Sequence, residues 1–218
     1  MKAEITPGST SQRLLYLCGI LAPSLFIFTA VLGGVLRPGY SHLTDTVSEL
    51  FSPGSPNKHL LDTLHTSFTL LLILFGIGIL GYIRDNKYSN WMGNLGAYLY
   101  ILMGILSVGT AAIFPQDPWG SPPTFPGKMH ILLSGILSLI TILSMGLISA
   151  WFNQTGIWPR FWKYTWVIIG LTILSAGFYA TNLGTPIMGL TERITILIGF
   201  LWTYILAGWL LKKPSLAD

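Results

Sequence analysis

Apolar residues in this chain fall in long runs with no strand-like alternation. Six stretches stand out: 14–36, 60–82, 92–114, 129–151, 161–182 and 191–211. A helix rises about 1.5 Å per residue, so about 20 residues cross a hydrocarbon core about 30 Å thick. Lipid offers backbone polar groups no partner, so runs this long and apolar must be helical. The alternating segments of about ten residues that mark a membrane barrel are absent. The pattern predicts an all-α membrane protein in which residues 1–218 form one domain, a six-transmembrane-helix bundle.

Composition agrees and removes alternatives. Of 218 residues, 51% are hydrophobic and 9% charged, against about a quarter charged in a soluble domain. So little charge excludes a solvated globular surface, a disordered tail and a nucleic-acid binder, despite a basic pI near 9.2. The charges also orient the bundle. Lys2, Arg13, Arg84, Lys87, Arg160, Lys163, Lys212 and Lys213 collect at one end, and only Arg37, Lys58, Lys128 and Arg193 at the other. The positive-inside bias puts both termini in the cytoplasm and the long first loop, 37–59, outside, as in a prokaryotic plasma (inner) membrane. Trp91, Trp151, Trp158, Trp162, Trp166 and Trp209 fall near the cytoplasmic end, where an interfacial aromatic belt is expected. Gly93, Gly96, Gly104, Ser134, Ser138, Gly170 and Ser175 read as close helix packing, and Cys18 as a small apolar packer.

The unusual residues gather at the outer end. Pro-Gly pairs fix turns at both ends of the first loop, and residues 41–50 read as a short interfacial helix capped by Ser41 or Thr44. All four histidines, His42, His59, His65 and His130, lie on this side or just inside it, with Asp45, Glu49, Asp62, Asp117 and Glu192. His59, Asp62 and His65 share a helical face at spacing i, i+3, i+6. Ionisable groups dipping into a span are costly and are a functional hypothesis by default.

Each of these residues also has a plain reading. Asp62 and Glu192 complement the positive ends of their helices, Glu192 and Arg193 pair with Arg37, and a structural hydrogen bond accounts for each buried histidine. Histidines with carboxylates suit a divalent metal such as zinc, with His65, His130 and Asp62 as ligands, but no HExxH or other close ligand pair is present. Without metal, His65 or His130 would act as base, oriented by Asp62, Asp117 or Glu192, with Ser41 or Ser48 as nucleophile outside any G-x-S-x-G elbow. Arg37 and Arg193, with Tyr40, suit a phosphate or carboxylate, hence a membrane-lipid head group. The span interiors hold no Asp, Glu, Lys or Arg, which argues against an ion-coupled transporter.

Several segments carry a resemblance. These are Arg37-Pro38-Gly39-Tyr40-Ser41, Asp45 through Leu50, Pro53-Gly54-Ser55-Pro56-Asn57, Phe114-Pro115-Gln116-Asp117, His130 and Gly189-Leu190-Thr191-Glu192-Arg193-Ile194. Together they resemble the bacterial and archaeal family called domain of unknown function 998. Gln116 stands where members often carry a cysteine, which removes a thiolate role there. The plan is more distantly similar to the FRAG/DRAM group of six-span proteins, a resemblance that implies lipid remodelling or lipid organisation. Two functions are therefore expected: a lipid-active hydrolase or transferase at the outer interface, or a non-catalytic lipid-binding or regulatory membrane protein.

Overall fold

The computed structural model describes residues 10–212. Each apolar run lies in a helix: α1 (Thr10–Leu36), α2 (Lys58–Arg84), α3 (Trp91–Val108), α4 (Phe125–Thr155), α5 (Pro159–Thr181) and α6 (Met188–Lys212). A π-helical turn, Gly109–Ile113, extends α3. All six are long and apolar enough to cross a membrane, and the described residues contain no strand. Several helices outrun the hydrocarbon-length stretch because their caps lie beyond it. Thr124 accepts a hydrogen bond from the Gly127 N–H, and Asn90 accepts one from Gly93, each satisfying an orphan donor of a first turn. Gly156, at φ 70°, ends α4 in the left-handed conformation that favours glycine. Lys2 and Lys213 of the charge count lie outside the described residues.

Each helix packs against its neighbours in sequence, α6 closes onto α1, and no other pair comes into backbone contact. The result is a ring of six helices whose middle must be filled by side chains. One end, the terminal face, carries the start of α1 and the end of α6. The other, the loop face, carries loops 37–57, 114–124 and 182–187.

Near the terminal face the middle is filled by aromatic rings. Trp158 and Trp209 stack 4.7 Å apart and 4° from parallel, Trp158 also stacks on Phe161 at 4.4 Å, and Phe152 meets Trp209 edge-on at 5.1 Å. Trp151 is fully enclosed and donates its indole N–H to the Tyr88 carbonyl at 3.1 Å. The expected tryptophan belt is therefore split. Trp91 and Trp166 face outward, while Trp151, Trp158 and Trp209 build the core. Glycines let α3 come close: a Cβ on Gly93, Gly96 or Gly104 would lie 2.8 Å from Trp151, Ile148 or Ile73. Small residues at a helix interface let backbones meet without a hydrophobic driving force.

The loop-face half is built differently. No residue is buried over 131–143 of α4, 170–181 of α5 or 193–201 of α6. Their inward-facing residues, among them Ile142, Ile196, Ile198 and Phe200, are only partly buried against the core. Ser138, Gly170 and Ser175 do not make the close contacts expected of them. A Cβ on Gly170 would meet nothing within 4 Å, and Ser138 and Ser175 bond their own helices.

Candidate functional site

The loop face is closed by a cap built from the first loop. Residues Thr46-Val47-Ser48-Glu49 form a capping box: the Glu49 N–H donates to Thr46 Oγ1 at 3.3 Å, and the Thr46 N–H donates to Glu49 Oε2 at 2.9 Å. The box starts a single 3₁₀ turn, Ser48–Phe51, whose Leu50 and Phe51 plug the ring beside Leu61 and Ala111. The expected helix over 41–50, capped by Ser41 or Thr44, is thus a shorter turn capped by Thr46. Ser41 and Thr44 instead fold onto Asp45, which accepts from the Ser41 N–H at 2.8 Å and the Thr44 hydroxyl at 2.9 Å.

Glu192 and Arg193 at the start of α6 grip this loop. The buried Glu192 carboxylate accepts from the Val47 N–H at 2.5 Å and the Ser48 hydroxyl at 3.2 Å, placing an acceptor at the start of the turn. Arg193 Nη1 donates to the carbonyls of His42, Asp45 and Gly189 at 2.8–2.9 Å, and Nη2 donates to the Tyr40 hydroxyl at 2.5 Å. Tyr40 donates onward to the Thr46 carbonyl at 2.8 Å, with Arg37 and Arg193 both lying over its ring. Burial pushes the Tyr40 phenol up to about 12, against the opposing pull of Arg193, so it stays a donor. Arg37 holds the Glu49 carbonyl at 2.6 Å. The expected pairing of Arg37 with Glu192 and Arg193 does not form, because each guanidinium is engaged by backbone carbonyls.

Other expected site residues are also engaged locally. Asp117 accepts from the Thr124 hydroxyl at 2.7 Å and the Thr124 N–H at 2.8 Å, and these bonds hold its carboxyl below the usual range. Asp62 pairs with Lys58 at 2.7 Å, the one ion pair among the described residues. It is therefore not an orienting partner of His65. Among the described residues no group of three His, Cys, Asp or Glu side chains can hold a metal ion, so His65, His130 and Asp62 do not form the zinc site their spacing invited.

The two buried histidines remain. His130 Nδ1 lies 2.8 Å from the Thr110 carbonyl and 3.0 Å from that of Phe114. In the π turn the Thr110 carbonyl would be served by the N–H of residue 115, but that residue is Pro115 and has none. His130 supplies the missing hydrogen, which fixes Nδ1 as donor and leaves Nε2 with its lone pair. His65 is 7% exposed and packs against Phe26, Phe51 and Phe68, with ring centroids 5.2–6.3 Å away. No described residue hydrogen-bonds it. The structure thus places the two histidines in separate surroundings and sets Asp62, Asp117, Ser41 and Ser48 to other tasks.

A second feature escapes sequence reading. Below the cap, α1 and α6 leave a cleft of about 230 Å³ walled by residues such as Phe26, Ala30, Val31, Leu197 and Phe200, with His42 and Arg193 at its rim. Partial burial, with Arg193 nearby, holds the His42 imidazole below its usual range. The legible signal for the cap was the T-x-x-E pattern at Thr46–Glu49. The cleft has none, because its walls look like any other lipid-facing residues.

A family model described as Protein of unknown function (DUF998) matches residues 20–209. The chain belongs to that family. No curated protein and no solved structure matches it.

Proposed function

We propose that this DUF998 member is an integral membrane protein that binds a phospholipid of the outer leaflet without turning it over. In this reading the loop face lies outside a prokaryotic plasma membrane, as the positive-inside bias expects. The α1–α6 cleft carries the proposal: a narrow apolar slot ending at a guanidinium. A guanidinium has five N–H donors. Here Nη1 and one bond from Nη2 hold the cap, so Nε–H and a second Nη2 hydrogen stay free for a phosphodiester. Acyl chain in the slot and phosphate at the rim is the arrangement an outer-leaflet lipid presents.

A hydrolase or transferase would need a nucleophile within reach of a base. The hydroxyl of Ser48 serves Glu192, and Ser41 belongs to the Asp45 turn, so the binding reading accounts for more of the geometry.

The test is native mass spectrometry of the detergent-purified protein titrated with dioleoylphosphatidylglycerol. Wild type should hold one tightly bound lipid. Ala30→Phe and Leu197→Trp, which fill the cleft from opposite helices, should each weaken it about tenfold or more. Normal binding in folded preparations of both variants would sink the proposal. The His42 imidazole, neutral at pH 7, gains charge only in acid, so affinity should rise as pH falls below the usual imidazole range. His42→Ala should abolish that rise.

A further inference from the structure

We propose, resting on the lipid-binding reading above, that the α1–α6 cleft is a blind slot for a single acyl chain, with the Phe26–Phe200 ring pair as its floor. The two helices run antiparallel and contact each other in steps from the terminal face upward. At the lowest step a Cβ on Gly19 would lie 2.7 Å from the Ala207 Cβ, so the backbones nearly touch. Above it the Ser24 and Tyr204 hydroxyls share a hydrogen bond at 2.9 Å. Above that, Phe26 and Phe200 meet edge-on, with centroids 5.2 Å apart and planes at 76°. Past the rings the walls part, and the cleft of about 230 Å³ opens between Ala30 and Val31 of α1 and Ile196 and Leu197 of α6.

The cap explains why they part. Val47 and His42 line the upper end of the cleft. The same loop lies hard against α1: a Cβ on Gly33 would lie 2.9 Å from Leu50, and one on Gly34 2.5 Å from the His42 ring. Glu192 and Arg193 bind it to α6. A loop seated against both helices acts as a wedge, while the rings and the Ser24–Tyr204 bond keep the lower parts joined. Phe68 of α2 backs both rings from within, with centroids 5.0 Å from Phe26 and 5.9 Å from Phe200, and is itself buried. Close-packed rings do not swing aside without opening a void, so the floor is fixed.

Depth and width decide what fits. Arg193 and Phe200 are seven residues apart, about 10 Å along the helix axis. Half of a hydrocarbon core about 30 Å thick is longer than this, so the chain of an outer-leaflet lipid overruns the floor. A volume of about 230 Å³ over that depth is one chain wide. Below the rim the lining side chains are all apolar, so they hold the chain by dispersion contact alone. The upper part of one chain therefore lies between α1 and α6, and its end turns outward into lipid at the rings. The second chain stays in the bilayer.

The probes are phosphatidylglycerols with a diazirine on one palmitoyl chain, either at mid-chain or at the methyl end. Each is photolysed on the full-length protein in detergent, and the labelled residues are mapped by mass spectrometry. In wild type the mid-chain label should fall on Phe26, Phe200 and their neighbours on α1 and α6, and the end label should be largely lost from them. Phe200→Ala removes one ring of the floor, and both labels should move down onto Ser24 and Tyr204. Phe200→Leu keeps more of the packing and should give a mixture of the two patterns. Tyr204→Phe cuts the lower bond but spares the rings, and should label as wild type does. Mid-chain label as dense on the exposed Leu139 and Leu174 as in the cleft would overturn the proposal, as would an unmoved pattern in both Phe200 variants. If phosphatidylglycerol binding still falls in Ala30→Phe and Leu197→Trp, the floor alone is lost and the lipid-binding reading stands. If it does not fall, both are lost together.

Discussion

At the terminal face Trp158 and Trp209 lie in parallel contact and Trp151 is fully enclosed. Toward the loop face α4 runs from residue 131 to 143 without burying a side chain. The same six helices thus hold together in two ways. One half is closed by interlocked rings and glycine contacts. The other is held by a smaller Phe26, Phe68 and Phe200 cluster and by a cap that Glu192 and Arg193 pull down onto α6. Between apolar helices in lipid there is no hydrophobic force to shut a gap, so helices touch where shapes fit and stay apart where they do not. The aromatic half is thus the frame, and the capped half is the one that leaves a cleft between α1 and α6.

Breaking the frame should cost most. Trp151→Ala removes a fully buried indole and its bond to Tyr88, and should lower unfolding stability in detergent by about 3–5 kcal/mol. A loss under 1 kcal/mol would mean the ring cluster is not what holds the helices.

The cap should fail locally. Arg193→Met strands the loop carbonyls of His42 and Asp45 and the Tyr40 hydroxyl, a loss of about 1–3 kcal/mol. Hydrogen exchange over 37–57 should rise while the cores of α2 and α3 stay protected. Uniform loss of protection would show that the two halves are not independent.

Glycine substitutions contrast the halves directly. A Cβ on Gly96 would meet the Ile148 backbone nitrogen at 3.0 Å, so Gly96→Ala should destabilise by about 1–3 kcal/mol. Gly135→Ala, with nothing within 4 Å, should be neutral or stabilise by up to about 1 kcal/mol through helix propensity. Equal effects at the two positions would remove the distinction.

The smallest effect is at Asp117. Its carboxyl titrates below the usual range because Thr124 bonds the charged form. The contribution is therefore complete above the unfolded value of about 3.9 and is lost as pH falls through the lower folded value. Exchange protection of residues 115–124 should hold from pH 7 to 5 and decline in stronger acid. Asp117→Asn should flatten that decline.

The fold was largely legible because spanning helices are dictated locally, by run length and the impossibility of unpaired backbone in lipid. The candidate site was legible only as a set of residue types. Glu192 and Arg193 announced themselves as charges at a span end, but whether they meet each other, a ligand or a loop backbone depends on the path of loop 37–57. Asp62 and His65 share a helical face, yet Lys58 at i−4 claims the carboxylate. His130 could be read as a buried imidazole, while its tautomer rests on Pro115, a residue whose lack of an N–H matters only once the π turn sets its carbonyl partner.

By itself, then, the sequence determined six helices and the end at which the histidines collect, both of them consequences of neighbours along the chain. Only the tertiary structure decided that aromatic rings fill one end while a folded loop caps the other, and that the arginines serve carbonyls. It also decided that His65 sits among phenylalanine rings while His130 serves the carbonyls of Thr110 and Phe114. Those outcomes turn on which side chains meet across helices, and residues far apart along the chain carry no local signature of the partner they will find.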